Sequence, residues 1–336
     1  MIGFLLTGGD SRIFASMGFA SMAFANKVFS ATVRSTAGVR SATGRALCAL
    51  LMLLAVSAKA SSEVRLASVY AAVADLQSGE LEFAKHAAQP TAIASISKLM
   101  TAMVVLDSGQ DMQERLTVRP RQQELGKTAW TRMRNASKAT RADLLKIALM
   151  ASENIACDVL ARHYPGGLTA FVAAMNDKAQ ALGMDDSVFF DPAGLSPNNR
   201  ASAADLVKLV RAAYDYPAIR EATTTTWHQV RFSHPRYRLE YGNTNPLLHS
   251  NRWQVSLSKT GYLNEAGRCL VMVTEIDGAE KIVVVLDSLG TRSPLGDAGR
   301  LRRWLTSGDP GKVAAAARRY EQQRSAALPQ ATASLQ

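Results

Sequence analysis

The stretch Ala94–Gly109, ASISKLMTAMVVLDSG, predicts a helix that begins close to Ser95 and is buried in the core. Apolar residues recur in it at helical spacing, and Gly109 supplies a left-handed stop. The apolar positions are Leu99, Met100, Met103, Val104 and Leu106. Lys98 lies in the first turn, where the helix dipole disfavours a cation by about 0.3 to 1 kcal/mol. A lysine at this position, one turn after a serine, therefore needs a physical reason.

The composition is that of a globular protein. The chain has 336 residues, of which 47% are hydrophobic and 20% charged, enough for one large domain or two smaller ones. The formal net charge is +11, and residues 1–60 hold six basic residues against one acid. This balance suits contact with an anionic polymer or surface, but no basic run has interleaved aromatic residues. Nucleic acid is therefore not an expected partner.

The basic N-terminal region has the pattern of a secretory signal, which we place at residues 1–60. Arg45 precedes the apolar stretch Ala46–Val56, and Ala58–Ala60 provides a small-x-small cleavage site. The segment is long for a signal, so Met17 or Met22 is an alternative start. An uncleaved anchor is the other interpretation, but the apolar core is too short to span a bilayer. We expect a periplasmic protein with at most peripheral membrane contact.

Cysteine use excludes a disulfide framework. Cys48 falls within the predicted signal, so only Cys157 and Cys269 remain in the mature chain. Their spacing does not suggest a metal site. We expect two buried thiols, and the alternative is a single bridge between them in an oxidising compartment.

The remaining chain alternates strands and helices in blocks, which predicts an α+β architecture. The segment VYAAVADLQSGELEF predicts a hairpin that turns at residues 77–80. Helices then follow, two of them opened by Thr140 and Ser202 with an aspartate three residues later. Strands return in WQVSLSKTG and CLVMVTEIDGAEKIVVVLD, before a closing helix around GRLRRWL. We expect one domain over residues 61–308 and, over residues 309–336, a tail rich in Ala, Arg and Gln that forms a frayed helix and a disordered end.

Ser95 and Lys98 form a Ser-x-x-Lys pair. On one helix this spacing places a hydroxyl and an amine one turn apart on the same face, as a nucleophile and its base require. The alternative is a serine cap followed by a solvated lysine. The unfavourable place of the lysine and the apolar character of the helix argue against that alternative.

Two later segments are also unusual. In WQVSLSKTG, strand alternation places Lys259 on the same face as three apolar residues, Trp253, Val255 and Leu257. The alternative is that the strand ends there and the side chain reaches solvent. Gly261 would let a substrate backbone approach the strand edge. In MASENIACD, Ser152 and Asn154 stand where one helix stops and the next begins, and a serine cap is the simple account.

Together these segments are far more specific than any one of them. Ser95-x-x-Lys98, Ser152-x-Asn154 and Lys259-Thr260-Gly261 occur in that order, separated by 57 and 107 residues. This is the motif set of penicillin-binding proteins and serine β-lactamases. The chain resembles the penicillin-recognising serine enzymes, and its stretches HYPGGLTAFVAAMNDKAQALGM, NTNPLL and SKTGYLNEAGRCLVM resemble D-alanyl-D-alanine endopeptidases of the penicillin-binding protein 7 type. The resemblance covers about residues 68–308.

The resemblance implies a fold and a set of partners. The fold is an antiparallel sheet flanked by helices, with a mostly helical region inserted between the first and last strands. The partners are peptidoglycan stem peptides and their cross-links, with β-lactams as covalent inhibitors, and no metal or organic cofactor is needed.

The resemblance also implies roles for individual residues. Ser95 is the nucleophile, and Lys98 is the general base, which requires a pKa well below the usual value of about 10.4. Ser152 relays a proton, and Asn154 holds the substrate amide or Lys98. Lys259, Thr260 and Gly261 form the substrate-binding strand, whose first two residues receive the anionic end of the substrate. The oxyanion lies between the backbone N–H groups of Ser95 and Tyr262. Arg292 is a candidate for binding the terminal carboxylate.

Several functions remain open at this stage. The expected activity is a DD-endopeptidase that cleaves bonds between D-Ala and a diamino acid, and DD-carboxypeptidase activity is the nearest alternative. A β-lactamase is disfavoured because no Glu-x-x-x-Asn stretch supplies a deacylating carboxylate between the second and third motifs. A catalytically silent cell-wall binding protein is the alternative from another class, and the intact motifs argue against it.

Overall fold

The structure is a computed structural model that describes residues 64–119 and 130–328. The predicted signal at 1–60 lies outside the described residues, as does the end of the predicted tail. The strands are β1 Ser68–Asp75, β2 Leu81–Lys85, β3 Thr91–Ala92, β4 Arg115–Thr117, β5 Lys138–Thr140, β6 Arg200–Ala201, β7 Trp227–Phe232, β8 Tyr237–Gly242, β9 Val255–Leu263, β10 Gly267–Ile276 and β11 Ala279–Ser288. The α-helices are α1 Lys98–Asp107, α2 Arg141–Met150, α3 Asn154–Arg162, α4 Gly167–Ala181, α5 Ala203–Tyr214, α6 Pro217–Thr224, α7 Ser293–Ser307 and α8 Ala315–Ala326.

The main sheet has five antiparallel strands in the order β2-β1-β11-β10-β9. The first strand of the chain therefore pairs with the last, and the segment between β2 and β9 forms a largely helical region. The predicted turn between β1 and β2 is confirmed, since the Asp75 N–H donates to the Glu80 carbonyl at 3.0 Å. The α+β prediction, with helices inserted between the first and last strands, is confirmed.

Both faces of this sheet are buried. Val271 and Val273 of β10 belong to the larger apolar cluster, which contains α1, whereas Leu270 and Met272 pack with Leu301 of α7. Alternation with a period of two produces this division, because successive side chains of a strand point to opposite faces. The last strand in the order, β9, is left with a free edge in the main sheet, and this edge faces the start of α1.

The predicted helix starts around Thr140 and Ser202 are confirmed. The Thr140 hydroxyl accepts a hydrogen bond from the Asp143 N–H, and Ser202 accepts one from the Asp205 N–H. Each cap satisfies an N–H group that has no partner inside its helix. Local sequence chemistry thus decides where the helices of the inserted region begin.

Within the tail, where a frayed helix and a disordered end are expected, Ala315–Ala326 form helix α8. Polar contacts anchor it to the sheet. The Tyr320 hydroxyl donates to Asp287 Oδ1 at 2.5 Å, Arg324 Nε donates to Asp287 Oδ2 at 2.7 Å, and Glu321 pairs with Lys85 at 2.7 Å. Apolar periodicity is a poor guide to such a helix, because side chains more than 200 residues away supply some of its partners.

None of the helices within residues 64–119 and 130–328 has the length and apolar character needed to cross a bilayer.

Candidate active site

Ser95 and Lys98 meet at the start of the central helix. Ser95 lies in a 3₁₀ turn, Ala94–Ser97, and the α-helix itself begins at Lys98, three residues later than expected. In a 3₁₀ turn residues three apart are eclipsed, so the two side chains stack. Lys98 Nζ lies 2.8 Å from Ser95 Oγ. Lys98 is only 1% exposed, so the alternative of a solvated lysine is wrong.

Two further oxygens surround the Lys98 amine. It donates to Asn154 Oδ1 at 2.8 Å and also to the Ala193 carbonyl. Asn154 is the first residue of α3, so the second motif reaches the first through this bond. The side chains of Ser95, Lys98 and Asn154 thus form one hydrogen-bonded group, as the prediction requires.

The Ala193 carbonyl belongs to a supporting loop that the sequence analysis missed. Asp191 accepts hydrogen bonds from backbone N–H groups at Ala193 and Ser196, which fixes the turn. Gly194 has a φ of +71°, and a Cβ there would lie 2.0 Å from the Ala94 carbonyl oxygen. Only glycine fits there. The sequence FFDPAGLSPNN contains the Asp, Pro, Gly and Asn residues that are typical of turns, so it indicates a loop. It does not indicate that this loop lies next to Ser95.

Asn199 ties this loop to the 3₁₀ turn. Its Nδ2 donates to Ser97 Oγ at 3.0 Å and to the Asp191 carbonyl at 2.8 Å, while its Oδ1 accepts from the N–H groups of Phe190 and Asp191. Asn199 is fully buried. A buried amide with this many partners holds its surroundings in one geometry.

Ser152 does not cap α3, so that simple account is wrong. Glu153 is the N-cap, and its side chain accepts from the Ile155 N–H at 3.2 Å. Ser152 precedes it with a φ of +58°, in the left-handed region. This conformation leaves the Ser152 hydroxyl to accept a hydrogen bond from Lys259 Nζ at 3.0 Å. Burial raises the pKa of the Glu153 carboxyl.

Lys259 is buried as the strand alternation predicts. It lies on β9, is 1% exposed and also donates to the Thr260 carbonyl at 2.9 Å. The alternative of a side chain that reaches solvent is wrong. Burial, and next the charge of Lys98, lower the pKa of Lys259 well below its usual value. A carboxylate that binds beside it would offset both effects by stabilising the ammonium form.

Gly261 lies directly against another segment of the protein's own chain. A Cβ there would lie 3.1 Å from the Ile93 carbonyl oxygen and 3.2 Å from the Ser95 nitrogen. The glycine therefore lets the edge strand pack directly against the 3₁₀ turn. Its neighbours face outward, because Thr260 Oγ1 lies 2.6 Å from Thr244 Oγ1 and Tyr262 is 49% exposed.

These motifs share one cavity of about 270 Å³. It is lined by Ser95, Ser152, Asn154, Thr260, Gly261 and Tyr262. Lys98 and Lys259 are buried directly behind this lining, where they form hydrogen bonds with Ser95 and Ser152. The structure thus brings together every predicted site residue. Thr244, Pro246, Arg268, Cys269, Leu270, Thr291, Pro294 and Leu295 complete the lining.

Comparison with protein-family models matches residues 56–290 to Peptidase S11, described as D-alanyl-D-alanine carboxypeptidase. The chain belongs to the peptidase S11 family. The resemblance drawn from the three motifs is thereby confirmed.

Curated relatives in the peptidase S11 family match most of the chain. The D-alanyl-D-alanine endopeptidase of Escherichia coli (strain K12) is 43% identical over 272 residues, 81% of this chain and 88% of the relative. The D-alanyl-D-alanine endopeptidase of Pseudomonas aeruginosa is 44% identical over 259 residues, 77% of this chain and 84% of the relative. These matches confirm the resemblance to the endopeptidase type.

A solved structure supports the fold. Penicillin-binding protein D2 from Listeria monocytogenes, in its cefotaxime-bound form, aligns with a TM-score of 0.63 and 26% identity. The alignment covers 73% of this chain and 98% of that structure. The penicillin-binding-protein fold that the resemblance implies is confirmed.

Other expectations for this peptidase S11 site have mixed outcomes. Cys157 and Cys269 are free and buried, so the alternative of a bridge between them is wrong. Arg292 is exposed at the start of α7 and does not line the cavity, whereas Arg268 does. No cluster of three or more His, Cys, Asp or Glu side chains suited to a metal ion occurs within the described part of the chain.

Proposed function

We propose that this chain is a periplasmic serine DD-peptidase that cleaves D-alanyl bonds in peptidoglycan cross-links through an acyl-enzyme on Ser95. One observation carries the proposal. Ser95 Oγ lies 2.8 Å from the buried amine of Lys98, and the same cavity holds Ser152, itself hydrogen-bonded to a second buried lysine, Lys259. A hydroxyl with an adjacent base and a second proton path is what acyl transfer to and from serine requires.

In the acylation step, Ser95 Oγ attacks the D-alanyl carbonyl carbon and its proton moves to Lys98 Nζ. This step requires the neutral amine, because an ammonium has no lone pair. The carbonyl π electrons move to oxygen, and the N–H groups of Ser95 and Tyr262 bind the resulting oxyanion. Gly261 supports this role, since its missing side chain keeps the two segments in contact. Preorganised donors of this kind are among the strongest sources of rate acceleration in enzymes.

Collapse of the tetrahedral intermediate breaks the C–N bond and releases the amine of the leaving peptide. The nitrogen takes a proton from the Ser152 hydroxyl, which is replenished from the lysine pair. Water then attacks the ester carbonyl while Lys98 accepts one of its protons. Lys98 returns this proton to Ser95 Oγ as the C–O bond breaks, which frees Ser95 and a carboxylic acid. Asn154 keeps the Lys98 amine directed at Ser95, through its 2.8 Å hydrogen bond.

Lys259 and Thr260 are the anchor for the anionic end of the substrate. Their position next to Ser152 supports this role, because a carboxylate bound there would be close to the leaving nitrogen. The pKa of Lys259 is lowered in the free protein by burial and by the Lys98 charge. Binding of an anion therefore stabilises the protonated form of Lys259.

The relatives support endopeptidase activity, since two of them, both more than 40% identical, are named D-alanyl-D-alanine endopeptidases. DD-carboxypeptidase activity is the alternative, because the family description and more distant relatives carry that name. Purified cross-linked and uncross-linked muropeptides separate the two, since an endopeptidase consumes the former and a carboxypeptidase releases D-alanine from the latter. Consumption of neither would favour a silent binding protein.

Labelling with a fluorescent penicillin tests the nucleophile. Ser95→Ala should abolish the covalent band on a denaturing gel, because the acylated oxygen is gone. Ser78→Ala, in the exposed turn between β1 and β2, is the matched control and should label as the wild type does. A labelled Ser95→Ala protein, or an unlabelled wild type with an intact fold, would contradict the proposal.

A further inference from the structure

Arg268 lines the cavity that contains Ser95. It is on β10, directly opposite Tyr262 of β9. Its guanidinium carbon is 3.9 Å from the centroid of the Tyr262 ring, so the two planes stack. Such stacking holds the planar fork in a fixed orientation at a low entropy cost.

No acidic group in the described part of the chain neutralises this arginine. The lining of the cavity contains no Asp or Glu, and the Arg268 guanidinium has no hydrogen bond or ion pair to any residue in the described ranges. Other arginines of the sheet region differ, since Arg300 and Arg324 pair with the buried carboxylates of Asp297 and Asp287. A half-buried, oriented guanidinium without an acidic partner is suited to a carboxylate that arrives with a ligand, because the fork binds both oxygens at once.

Strand direction shows which part of the substrate meets Arg268. This step rests on the proposed function, in which Thr260 anchors the leaving side and the Tyr262 N–H binds the reacting carbonyl. Tyr262 lies two residues beyond Thr260, about 7 Å further along β9. A peptide that follows the strand edge therefore has its leaving group near Thr260, and its retained acyl part lies at the level of Tyr262, where the Arg268 guanidinium covers the ring.

We propose that Arg268, held by the Tyr262 ring, binds a carboxylate of the peptide that stays on the enzyme as the acyl group. Cross-link peptides carry such a group either on the diamino acid or on the residue before it. Arg268 is thus a specificity-determining residue, in addition to the anchor at Lys259 and Thr260.

Two penicillins with one nucleus test this directly. One has an adipoyl side chain that ends in a free carboxylate, and the other has the corresponding neutral carboxamide. Their second-order rates of acylation are measured by competition with a fluorescent penicillin. The wild type should react about 10- to 100-fold faster with the acid, equivalent to about 1.4 to 2.8 kcal/mol.

Arg268→Gln should remove this preference by slowing only the acid, and Arg268→Lys should retain part of it, because the charge remains but the fork is lost. Arg302→Gln is the matched control. Arg302 also stacks on an aromatic ring, that of Trp253, but does not line the cavity. It should leave both rates and their ratio unchanged.

Three outcomes would overturn the inference. A wild type indifferent to the side-chain charge has no carboxylate site there. An Arg268→Gln variant that slows both penicillins equally shows that the arginine only supports Tyr262. An acid preference that survives in Arg268→Gln belongs to another cation. Failure of the proposed function looks different, since neither penicillin would then acylate the wild type.

The position of the carboxylate is measured with D-Ala-D-Ala peptides whose N-acyl chains end in an acid at increasing length. The length with the largest ratio between wild type and Arg268→Gln distinguishes a carboxylate on the diamino acid from one on the preceding residue. A ratio that does not depend on length would contradict a defined site.

Discussion

Gly261→Ala tests how closely the edge strand must approach the nucleophile. The added Cβ would lie 3.1 Å from the Ile93 carbonyl oxygen, 3.2 Å from Ala94 Cβ and 3.2 Å from the Ser95 nitrogen. Comfortable separations are about 3.5 to 4 Å, so β9 and the 3₁₀ turn must move apart by a few tenths of an ångström. Two of the three contacts are to backbone atoms, which cannot rotate away.

The cost in stability is moderate. Overpacking of this kind costs about 1 to 3 kcal/mol, and replacing glycine with alanine returns about 0.4 to 1 kcal/mol through the unfolded chain. We expect a net loss of at most about 2.5 kcal/mol, which corresponds to a Tm decrease of up to about 10 °C for a domain of this size. The protein should therefore remain folded at room temperature.

The cost in acylation should be larger than stability explains. Two N–H donors must lie about 2.7 to 3.1 Å from one oxyanion, and complete loss of one donor costs about 100- to 1000-fold in rate. Moving Ser95 relative to Tyr262 weakens one donor without removing it. We therefore expect acylation by penicillin to slow by about 10- to 100-fold.

The assay compares acylation rates well below the Tm, alongside thermal melting. Gly242→Ala is the matched control, because this glycine also belongs to a strand, has no positive φ, and an added Cβ there meets nothing within 4 Å. The control should keep both its Tm and its rate. A Gly261→Ala variant that melts lower yet acylates at the wild-type rate would refute the reasoning.

Three other predictions concern the lysines and the thiols. Lys98→Arg should nearly abolish acylation, because a guanidinium cannot act as a base. Lys259→Arg keeps the positive charge and should retain activity, reduced by about 10- to 100-fold. If the two variants were equally inactive, the division into a base and an anchor would be contradicted. The pKa of Lys259 is lowered, and Lys259 must be protonated to bind the anionic end of the substrate. The KM should therefore begin to rise with pH well below the pH at which an ordinary lysine loses its proton. Lys259→Arg should remove this rise, and an unchanged pH profile in that variant would contradict the prediction. Burial raises the pKa of Cys157 to about 11 and that of Cys269 to about 12, so a thiol reagent should modify neither in the folded protein. Both should react after the protein is denatured in the absence of a reductant. If neither reacts under those conditions, the two cysteines form a disulfide.

The sequence by itself determined the α+β class, the positions of most helices and strands, and the three motifs. These features are local. A cap such as Thr140, the alternation that buries Lys259 and the one-turn spacing of Ser95 and Lys98 depend only on neighbouring residues and on the period of the backbone.

Tertiary structure alone decided which distant groups meet. The Ala193 carbonyl, which accepts a hydrogen bond from Lys98, is 95 residues away from it in the sequence. Glycine is needed at position 261 because β9 packs on the turn that contains Ser95. Likewise, Arg268 rather than Arg292 lines the cavity because strand register places it opposite Tyr262. Register and packing depend on how whole layers fit together, and the pattern of one segment holds no information about the surface that it will meet.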